Sequence, residues 1–417
     1  MFENIIRQDE VTGLLREELR EGRLPAALLF SGPEYSGKLS TALELARALC
    51  CENPEAPWGC GCRSCESHRL LEYPHLLMLG GRYFHREIAA CADTLRRTGS
   101  PSSRFLLIRG VRKLLRRYDP ILWEGEEAKV QGAAAPMQAA EEALAELAPP
   151  AELPPADRLV RLSETLLQSA ARILDARQPD PVPIAQVRRV SAWARMGAAG
   201  ARKIVIIENA DRMLDSARNA LLKILEEPPA RLTFILLTSR RGAMIPTILS
   251  RLRAYSFRPR DGEAGREVLE RIFREDSGRF ATLDDFFRSY QEVDPQVLRD
   301  AVGAFLREAL GAPAGPRDSA PGRSRGPARG SSRDFSRVRP GDDALFKDRA
   351  KFRLFLRELL EALRPGNPGG PALPELQDLS RLEDWAALAR RTADSLEALN
   401  IGPEILAQRL FALFGRA

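Results

Sequence analysis

The stretch Gly32-Pro33-Glu34-Tyr35-Ser36-Gly37-Lys38 decides the fold, because it matches a phosphate-binding glycine loop at every position up to the lysine. An apolar run from Ala26 to Phe30 precedes it, and a helical pattern from Lys38 to Leu49 follows it. This is the order of strand, loop and helix that the motif requires. In such a loop, backbone N–H groups cradle phosphates and the lysine reaches the β and γ oxygens. The sequence therefore predicts a nucleotide site.

The residue after the lysine departs from the motif. Leu39 stands where the motif has Ser or Thr, whose hydroxyl ligates Mg²⁺, and a leucine side chain has no atom that ligates a metal. Ser40 follows and is a candidate nucleotide contact together with Gly32, Gly37 and Lys38. The loop thus predicts that a nucleotide is held without predicting that it is hydrolysed.

A second part of the site is expected after another strand. The segment from Lys203 to Asp211 reads as a buried strand that ends in polar residues. ATPases with a phosphate-binding glycine loop have an Asp that binds Mg²⁺ and a Glu that activates water at this position. Here the positions hold Glu208, which can still approach a metal, and Asn209, whose amide has no basicity for activating water. Thr238 ends the next strand, where it is either a γ-phosphate sensor or an ordinary strand-end residue.

The rest of the chain alternates strands and helices in its first part. Short β-rich runs recur with helical patterns between them, at residues 26–30, 75–79, 203–207, 233–238 and 254–257. This alternation predicts an α/β fold with a parallel sheet. A helical insertion of unknown role is expected at about 84–180, punctuated by prolines. Residues 311–343, rich in Gly, Pro, Ser and Arg, predict a disordered linker, and residues 344–417 predict a separate helical domain.

The composition limits the classes of protein to which the chain can belong. The chain has 417 residues, which suggests about two to four domains, and 63 Lys and Arg against 57 Asp and Glu give a formal net charge of +6. This basic excess is compatible with a nucleic-acid neighbourhood and does not establish one. No apolar stretch reaches the ~20 residues of a membrane span, and the N-terminus has no signal-peptide character. We therefore expect a cytoplasmic protein.

The cysteines are clustered, since five of the six lie between Cys50 and Cys65. In a reducing compartment such a cluster indicates metal ligation rather than disulfides. Four thiolates on a short excursion suit a tetrahedral, structural Zn²⁺ site, with buried unliganded thiols as the alternative. The candidate ligands are Cys51, Cys60, Cys62 and Cys65. Cys50 can replace Cys51 as the first ligand, and His68 and His75 are weaker candidates.

The insertion also carries basic residues at helical spacing. Side chains three and four positions apart share a helix face, so this stripe either touches phosphates or forms a solvated face, and the solvated face is favoured. The residues are Arg109, Arg112, Lys113, Arg116 and Arg117. Seven arginines of the linker, between Arg317 and Arg339, offer the same choice between weak DNA tethering and solubility.

Two longer stretches carry a specific pattern: Asn219-Ala220-Leu221-Leu222-Lys223-Ile224-Leu225-Glu226-Glu227-Pro228-Pro229 and Pro246-Thr247-Ile248-Leu249-Ser250-Arg251. With residues 4–8 and 22–25, the glycine loop, the cysteine module and residues 203–257, they resemble the bacterial clamp-loader subunits of the AAA+ class, of the gamma and delta-prime types of DNA polymerase III. Leu399-Asn400 and residues 406–414 are similar to the final collar helix of these subunits, in a weaker match. The insertion has no counterpart in the family pattern.

The resemblance implies a domain order and a role for one arginine. The order is an AAA+ nucleotide-binding domain over 1–257, a small helical lid over 258–310 and an all-α collar for oligomerisation over 344–417. The family's Ser-Arg-Cys motif reads Ser250-Arg251-Leu252 here, so the cysteine is lost and the charge is kept. Arg251 is thereby implied as an arginine finger for ATP on an adjacent subunit, a role that contributes about 10³ to 10⁵ in rate in comparable systems.

The resemblance further implies a delta-prime-like subunit that helps to load the sliding clamp onto primed DNA and has no ATPase activity of its own. Its implied partners are gamma/tau-type and delta-type subunits in a hetero-pentamer, the sliding clamp, and primer-template DNA through the assembly. Zn²⁺ is the expected structural cofactor, and ATP or ADP can be held without hydrolysis. The alternatives are an active gamma/tau-type ATPase, which Leu39 and Asn209 disfavour, and a zinc-containing DNA-binding protein with a vestigial phosphate loop.

Overall fold

The computed structural model describes residues 1–82, 84–176, 181–197, 200–276, 278–290, 295–309, 344–347, 349–364, 379–398 and 402–414. The chain divides into two compact units, Met1–Tyr290 and Gln291–Ala417. The predicted linker at 311–343 lies outside the described residues, as do Leu399 and Asn400. None of the helices in the described ranges combines the length and the apolar composition needed to cross a membrane.

The first unit contains a five-stranded sheet in which all neighbouring strands are parallel. The strands are β1 (Ala27–Ser31), β2 (Leu76–Leu79), β3 (Lys203–Ile207), β4 (Leu232–Thr238) and β5 (Arg253–Ser256). Their order across the sheet is β2-β3-β4-β1-β5. The predicted parallel α/β sheet is confirmed, and all five strands lie within about one residue of the expected bounds.

Helices surround this sheet and extend beyond it. In the first unit they are α1 (Asp9–Arg20), α2 (Lys38–Cys50), α3 (Arg63–Arg69), α4 (Phe84–Thr98), α5 (Pro101–Leu115), α6 (Pro120–Trp123), α7 (Ala134–Leu147), α8 (Ala156–Ala176), α9 (Ile184–Arg195), α10 (Asp215–Glu226), α11 (Pro246–Leu249), α12 (Gly262–Val268) and α13 (Leu283–Arg288). Single turns of 3₁₀ helix at Ala210–Arg212 and Arg241–Ala243 follow β3 and β4, and a π-helical turn, Leu269–Phe273, continues α12.

The sheet is covered on both faces, since strands β1 to β4 are buried at every position. Alternate side chains of β3 point to opposite faces: Ile204 and Ile206 join the core formed with α1 and α2, whereas Val205 and Ile207 join the core formed with α9 and α10. The carboxyl ends of the parallel strands share one edge, where Ser31 is level with Thr238 and Leu79 is level with Ile207. This edge carries the candidate nucleotide site.

Residues 84–176 form a helical bundle with a core of their own. Apolar side chains of α4, α5, α7 and α8 pack together, and residues of the segment from α12 to α13 join the same core. Helices α4 and α5 pack side by side, as do α7 and α8. Ser100 caps α5 by accepting a hydrogen bond from Ser103 N in a capping box, which fixes the start of this helix.

The second unit is helical in its described residues. Its helices are α14 (Pro295–Ala309), α15 (Ala344–Lys347), α16 (Arg349–Ala362), α17 (Leu379–Ala398) and α18 (Pro403–Phe414). Aromatic rings fill their shared core: Phe305 contacts Phe355 and Phe414, and Trp385 stacks on Phe414 with ring centroids 4.8 Å apart. An α/β sheet domain followed by helices is therefore the observed fold class.

Candidate functional site

The glycine loop joins β1 to α2 at the carboxyl edge of the sheet. Gly32 N donates to Thr238 O at 3.2 Å, and a Cβ at Gly32 would lie 2.6 Å from Phe257 O, which leaves room for glycine only. Gly37 precedes α2 with a φ of 91°, in the left-handed region that favours glycine. Backbone geometry therefore requires both predicted glycines, and the loop ends at the N-terminus of α2, where backbone N–H groups favour anions.

Lys38 turns back onto the loop. Its ammonium group donates to Gly32 O at 2.6 Å, to Pro33 O, and to Ser36 Oγ at 3.3 Å. Burial lowers the pKa of Lys38 to about 8, an effect that nearby carboxylates only partly offset. The lysine that reaches phosphate oxygens in such loops is thus held here by carbonyl groups of its own loop.

The two residues after Lys38 have opposite environments. Leu39 is buried, with 8% of its surface exposed, in the core that α2 forms with the sheet. Ser40 is exposed on α2. The leucine therefore does more than lack a metal-binding oxygen, because its side chain belongs to the apolar core.

Glu208, the first residue after β3, is bound by two arginines. Arg117 Nη2 donates to Glu208 Oε1, and Arg82 Nη1 donates to Glu208 Oε2 at 3.1 Å. Arg117 also donates through Nε to Gly80 O at 2.7 Å, and its guanidinium lies 5.4 Å from the centre of the Phe84 ring. Only 1% of the Arg117 side chain and 10% of the Glu208 side chain are exposed. The carboxylate is therefore neutralised inside the protein.

The other polar residues at this edge also have partners in the chain. Asn209 Nδ2 donates to Gly81 O at 2.6 Å. Thr238 Oγ1 donates to Asp211 Oδ1 at 2.7 Å, and Arg240 Nε donates to Asp211 Oδ2 at 2.9 Å. Thr238 is thus oriented by a carboxylate that the sequence did not single out.

The structure brings the glycine loop, Glu208 and Thr238 to one edge, but the residues present do not fit the Mg²⁺ that such loops use. Leu39 offers no hydroxyl, Asn209 replaces a carboxylate, and both oxygens of Glu208 accept hydrogen bonds from arginines. A divalent cation needs oxygen ligands with an available lone pair and negative charge. This donor set can hold an anion, and it is a poor set for Mg²⁺.

The four predicted cysteine ligands come together. The sulfur atoms of the group all lie within 4.8 Å of one another, and Cys51 Sγ is 3.6 Å from Cys60 Sγ. The other two members are Cys62 and Cys65. Tetrahedral zinc with Zn–S bonds of about 2.3 Å places its sulfurs about 3.8 Å apart, so the group fits a structural zinc ion. Such an ion would cross-link the loop between α2 and α3.

Cys50 and the two histidines have other surroundings. Cys50 is outside the cysteine group, and burial raises the pKa of its thiol to about 11. His68 is buried and stacks on Tyr73 with ring centroids 4.3 Å apart, and burial lowers the pKa of His68 to about 3. His75 contacts Tyr73 edge to face. The geometry thus favours Cys51 as the first ligand.

A buried ion pair holds the cysteine group against α2. Arg47 binds both oxygens of Glu44, at 2.9 and 2.6 Å, and Arg47 Nη1 donates to Cys65 Sγ at 2.9 Å. The guanidinium of Arg47 also lies 5.6 Å from the centre of the Trp58 ring, and that of Arg69 lies 5.7 Å from the same centre. Charge-assisted hydrogen bonds of this kind stabilise a thiolate and orient it.

The basic face of α5 is not a solvated face, so that interpretation was wrong. Its arginines donate to carbonyl groups at the C-terminal end of α3 and in the turn after it, where the helix dipole favours positive charge. The bonds run from Arg109 to His68 O and Arg69 O, from Arg112 to Leu70 O, and from Arg116 to Leu71 O and Tyr73 O. Lys113 binds Glu87, and Arg117 binds Glu208. The stripe therefore docks the helical bundle onto the cysteine module and the end of β3.

Arg251 lies apart from these groups, two residues after the end of α11. Its Nη1 donates to Thr247 O at 2.7 Å, and its Nη2 donates to Glu226 Oε1 at 2.5 Å. The side chains of Arg251 and Glu226 are 31% and 50% exposed. None of its described hydrogen bonds reaches a residue of the glycine loop. This arginine is accessible and is held by one exchangeable ion pair.

Sequence reasoning missed Arg82, Arg117 and Asp211 as members of the site. Arg82 follows Gly80 and Gly81 directly after β2, a place at the carboxyl edge that could have been examined. Asp211 follows β3 in the same way. Arg117 gave no usable signal, because it is more than 90 residues before Glu208 in sequence and only folding brings the two together.

Comparisons with known proteins find similarity to subunits of DNA polymerase III. A family model described as "DNA polymerase III, delta subunit" matches residues 7–100 and 163–261. The chain is 32% identical over 102 residues to DNA polymerase III subunit delta' of Bacillus subtilis, covering 24% of this chain and 30% of the relative. It is 39% identical over 71 residues to the delta' subunit of Escherichia coli, covering 17% of this chain and 20% of the relative.

Gamma/tau subunits match as well. The chain is 34% identical over 102 residues to DNA polymerase III subunit gamma/tau of Mycobacterium tuberculosis, covering 24% of this chain and 16% of the relative. The chain thus spans less than a third of the length of these relatives. The family model leaves out residues 101–162, which include α5 and Arg117.

Proposed function

We propose that the chain is a member of the clamp-loader family of DNA polymerase III, as its matches to the delta family model and to delta' subunits support, and that it is a delta-prime-type subunit of a cytoplasmic replicative clamp loader. In this proposal it assembles with gamma/tau-type and delta-type subunits and supplies Arg251 to ATP bound on a neighbour. It holds ATP or ADP through its own glycine loop without hydrolysing it, and it helps to place the sliding clamp on primer-template DNA.

The accessibility of Arg251 carries this proposal. The arginine is 31% exposed and its carboxylate partner, Glu226, is half exposed, so the pair is weak and can be exchanged for a phosphate at small cost. A guanidinium recognises phosphate oxygens through two parallel hydrogen bonds, and such groups stabilise the charge of phosphoryl transfer. An arginine in this state is suited to act on a partner.

The chain's own nucleotide site supports the second half of the proposal. Glu208 cannot polarise water while two arginines bind its oxygens, and Asn209 has no basicity. Leu39 is fixed in the core. These features together leave the site without a metal ligand and without a general base.

The test is the ATPase activity of the reconstituted clamp loader. Arg251→Ala in this chain is expected to lower the loader's kcat by about 10³, while the folded chain still joins the assembly. Arg253→Ala is the matched control, because Arg253 is two residues away, 55% exposed and paired with Glu18. Unchanged activity in the Arg251→Ala loader would remove the arginine-finger role.

A gamma/tau-type ATPase is the second candidate, since relatives of both kinds match the chain. The isolated chain distinguishes the two, because a gamma/tau-type motor retains its metal ligand and catalytic carboxylate. We expect no ATP turnover by the purified chain above that of a Lys38→Met variant. Turnover that Lys38→Met abolishes would identify a motor subunit.

We also propose that Cys51, Cys60, Cys62 and Cys65 hold one structural zinc ion. Metal analysis of the purified chain should find about one zinc per molecule. Cys65→Ser should lose the metal, whereas Cys50→Ser should retain it, because Cys50 is outside the group. Equal zinc content in the two variants, or a stably folded chain without metal, would contradict the proposed ligand set.

A further inference from the structure

The side chains at the end of β3 form a network with an excess of positive charge. Arg82 and Arg117 bind the two oxygens of Glu208, and Arg82 Nε is 2.9 Å from Glu87 Oε2. Lys113 binds the other oxygen of Glu87. Three positive groups and two negative groups leave one positive charge over. All five belong to the folded interior or its edge, since the most exposed, Arg82, has 26% of its side chain exposed.

The glycine loop adds one charge of each sign, because Glu34 and Lys38 both belong to it. Lys38 is within electrostatic reach of Glu34, Glu208 and Arg82, and its own hydrogen bonds run to neutral carbonyl and hydroxyl groups. A further carboxylate of this edge, Asp211, already binds Thr238 and Arg240. The loop and the network together therefore keep one more positive than negative charge.

We propose that this edge of the sheet binds the phosphates of a nucleoside diphosphate or triphosphate without a divalent metal ion, with Arg82 and Arg117 supplying the positive charge that Mg²⁺ supplies in other glycine-loop proteins. The inference rests on the nucleotide-holding role proposed above. It specifies the ligand as the metal-free nucleotide.

The position of Arg117 explains how a side chain can replace an ion. The guanidinium is fixed by Glu208, by Gly80 O and by the Phe84 ring, and its side chain is 1% exposed. It is therefore in place before any ligand arrives, as a preorganised charge must be. Arg117 lies in the 3₁₀ turn that follows α5, in the stretch that the family match leaves out. The insertion thereby contributes a group to the nucleotide site.

Electrostatics predict the direction in which magnesium changes the affinity for the nucleotide. A divalent cation placed beside Glu208 meets the two guanidinium groups that already neutralise this carboxylate, whereas polyphosphate oxygens meet unbalanced positive charge. Magnesium in solution also binds the phosphates of the free nucleotide and so competes with the protein for them. Magnesium is therefore expected to weaken binding, the reverse of its effect in a site with an intact metal ligand.

Isothermal titration calorimetry of the full chain with ATP, in excess EDTA and then in excess magnesium chloride, tests the proposal. We expect the affinity in EDTA to be higher, by about tenfold. Equal affinities overturn the proposal, because they show that the chain binds the magnesium complex as well as the metal-free nucleotide. Affinity at least tenfold higher with magnesium overturns it, and so does an absence of binding in both conditions. The Arg251→Ala loader assay is unaffected by these outcomes and judges the proposed function separately.

One pair of variants assigns the effect to the arginines. Arg82→Gln leaves Arg117 on Glu208 and Lys113 on Glu87, and it should weaken ATP binding in EDTA by about tenfold. Arg158→Gln removes an exposed arginine that pairs with Glu146 on the helical bundle, and it should leave binding unchanged. Equal affinities of Arg82→Gln and wild type overturn the role of Arg82. Circular dichroism establishes that each variant is folded. The wild-type titrations in EDTA and in magnesium test the proposal even if a variant does not fold.

Discussion

Two arginine–glutamate contacts of this protein differ in almost every physical respect. Arg117 and Glu208 form a pair at the end of β3, with 1% and 10% of their side chains exposed. Arg251 and Glu226 form a pair between α11 and α10, with 31% and 50% exposed. The first pair is part of a closed internal network, and the second is a single surface contact. The comparison shows that the chain neutralises a carboxylate at the carboxyl edge of its own sheet while it leaves another arginine exposed and weakly paired.

The difference follows from the cost of removing charge from water. A buried charge that loses its partner keeps the full desolvation penalty, so the Arg117–Glu208 pair is effectively permanent. An exposed pair has a net value near zero to 1 kcal/mol, because water replaces the partner. A phosphate can therefore displace Glu226 from Arg251, whereas no ligand readily frees Glu208.

A comparison of the variants Glu208→Gln and Glu226→Gln is the most direct test of this contrast. Glu208→Gln leaves the buried Arg117 without a counter-charge and should lower the free energy of unfolding by about 3–5 kcal/mol. Glu226→Gln should lower it by less than about 1 kcal/mol. Urea unfolding followed by circular dichroism measures both values. Similar losses in the two variants would show that the two pairs are energetically alike and would break the comparison.

Leu39→Thr asks whether the missing hydroxyl alone separates this site from an ATPase. The substitution places a hydroxyl in the core and removes apolar volume, so the free energy of unfolding should fall by about 1–3 kcal/mol. Leu14→Thr on α1, where Leu14 is 42% exposed, should cost less than about 1 kcal/mol. The Leu39→Thr chain should still not hydrolyse ATP, because Glu208 stays bound to two arginines. Turnover in this variant would show that the arginine network does not block catalysis.

The smallest expected effect is a dependence of stability on pH that comes from Lys38. Its folded pKa, lowered to about 8 by burial, is below the ordinary value of 10.5. Between these values the unfolded chain binds the proton and the folded chain does not, so stability rises with pH across this window. Below pH 8 the folded state carries the desolvation cost of the charged lysine. Lys38→Met should therefore flatten the rise, as measured by the difference from wild type in urea unfolding at pH 7.5 and at pH 9.5.

A matched arginine variant tests whether the pH dependence of stability comes from the buried position of Lys38. Arg251→Met removes a surface cation that stays charged throughout the window, so it should leave the slope of stability against pH as in wild type. If Arg251→Met and Lys38→Met change the slope equally, the effect reflects net charge rather than the buried position of Lys38.

Much of the fold could be predicted from local pattern. The glycine loop and the five apolar runs predicted a parallel α/β sheet, because strand residues buried on both faces are apolar at every position and turn residues bound them. The cysteine spacing predicted a group of four thiols, which the structure brings together. The choice of Cys51 over Cys50 depends on which of two adjacent side chains points toward the others, and the sequence left both open.

The basic stripe on α5 shows where local pattern misleads. Five cations at helical spacing look solvated when only their own helix is considered, yet here they bind carbonyl groups after α3 and carboxylates from α4 and β3. A helix pattern records which residues share a face, and it contains no information about what that face contacts. The partners come from other segments, so only the folded chain reveals them.

The sequence by itself determined that this protein has a phosphate loop on a parallel sheet, that Leu39 and Asn209 stand where a metal ligand and a carboxylate are expected, and that Arg251 ends a stretch that resembles a clamp-loader motif. These are properties of residue type at a local position. Only the tertiary structure decided that Glu208 is neutralised, that Lys38 is held by its own loop, and that the insertion reaches the site through Arg117. Burial and long-range pairing set the energy of a charge, and neither can be predicted from the residues adjacent to it in sequence.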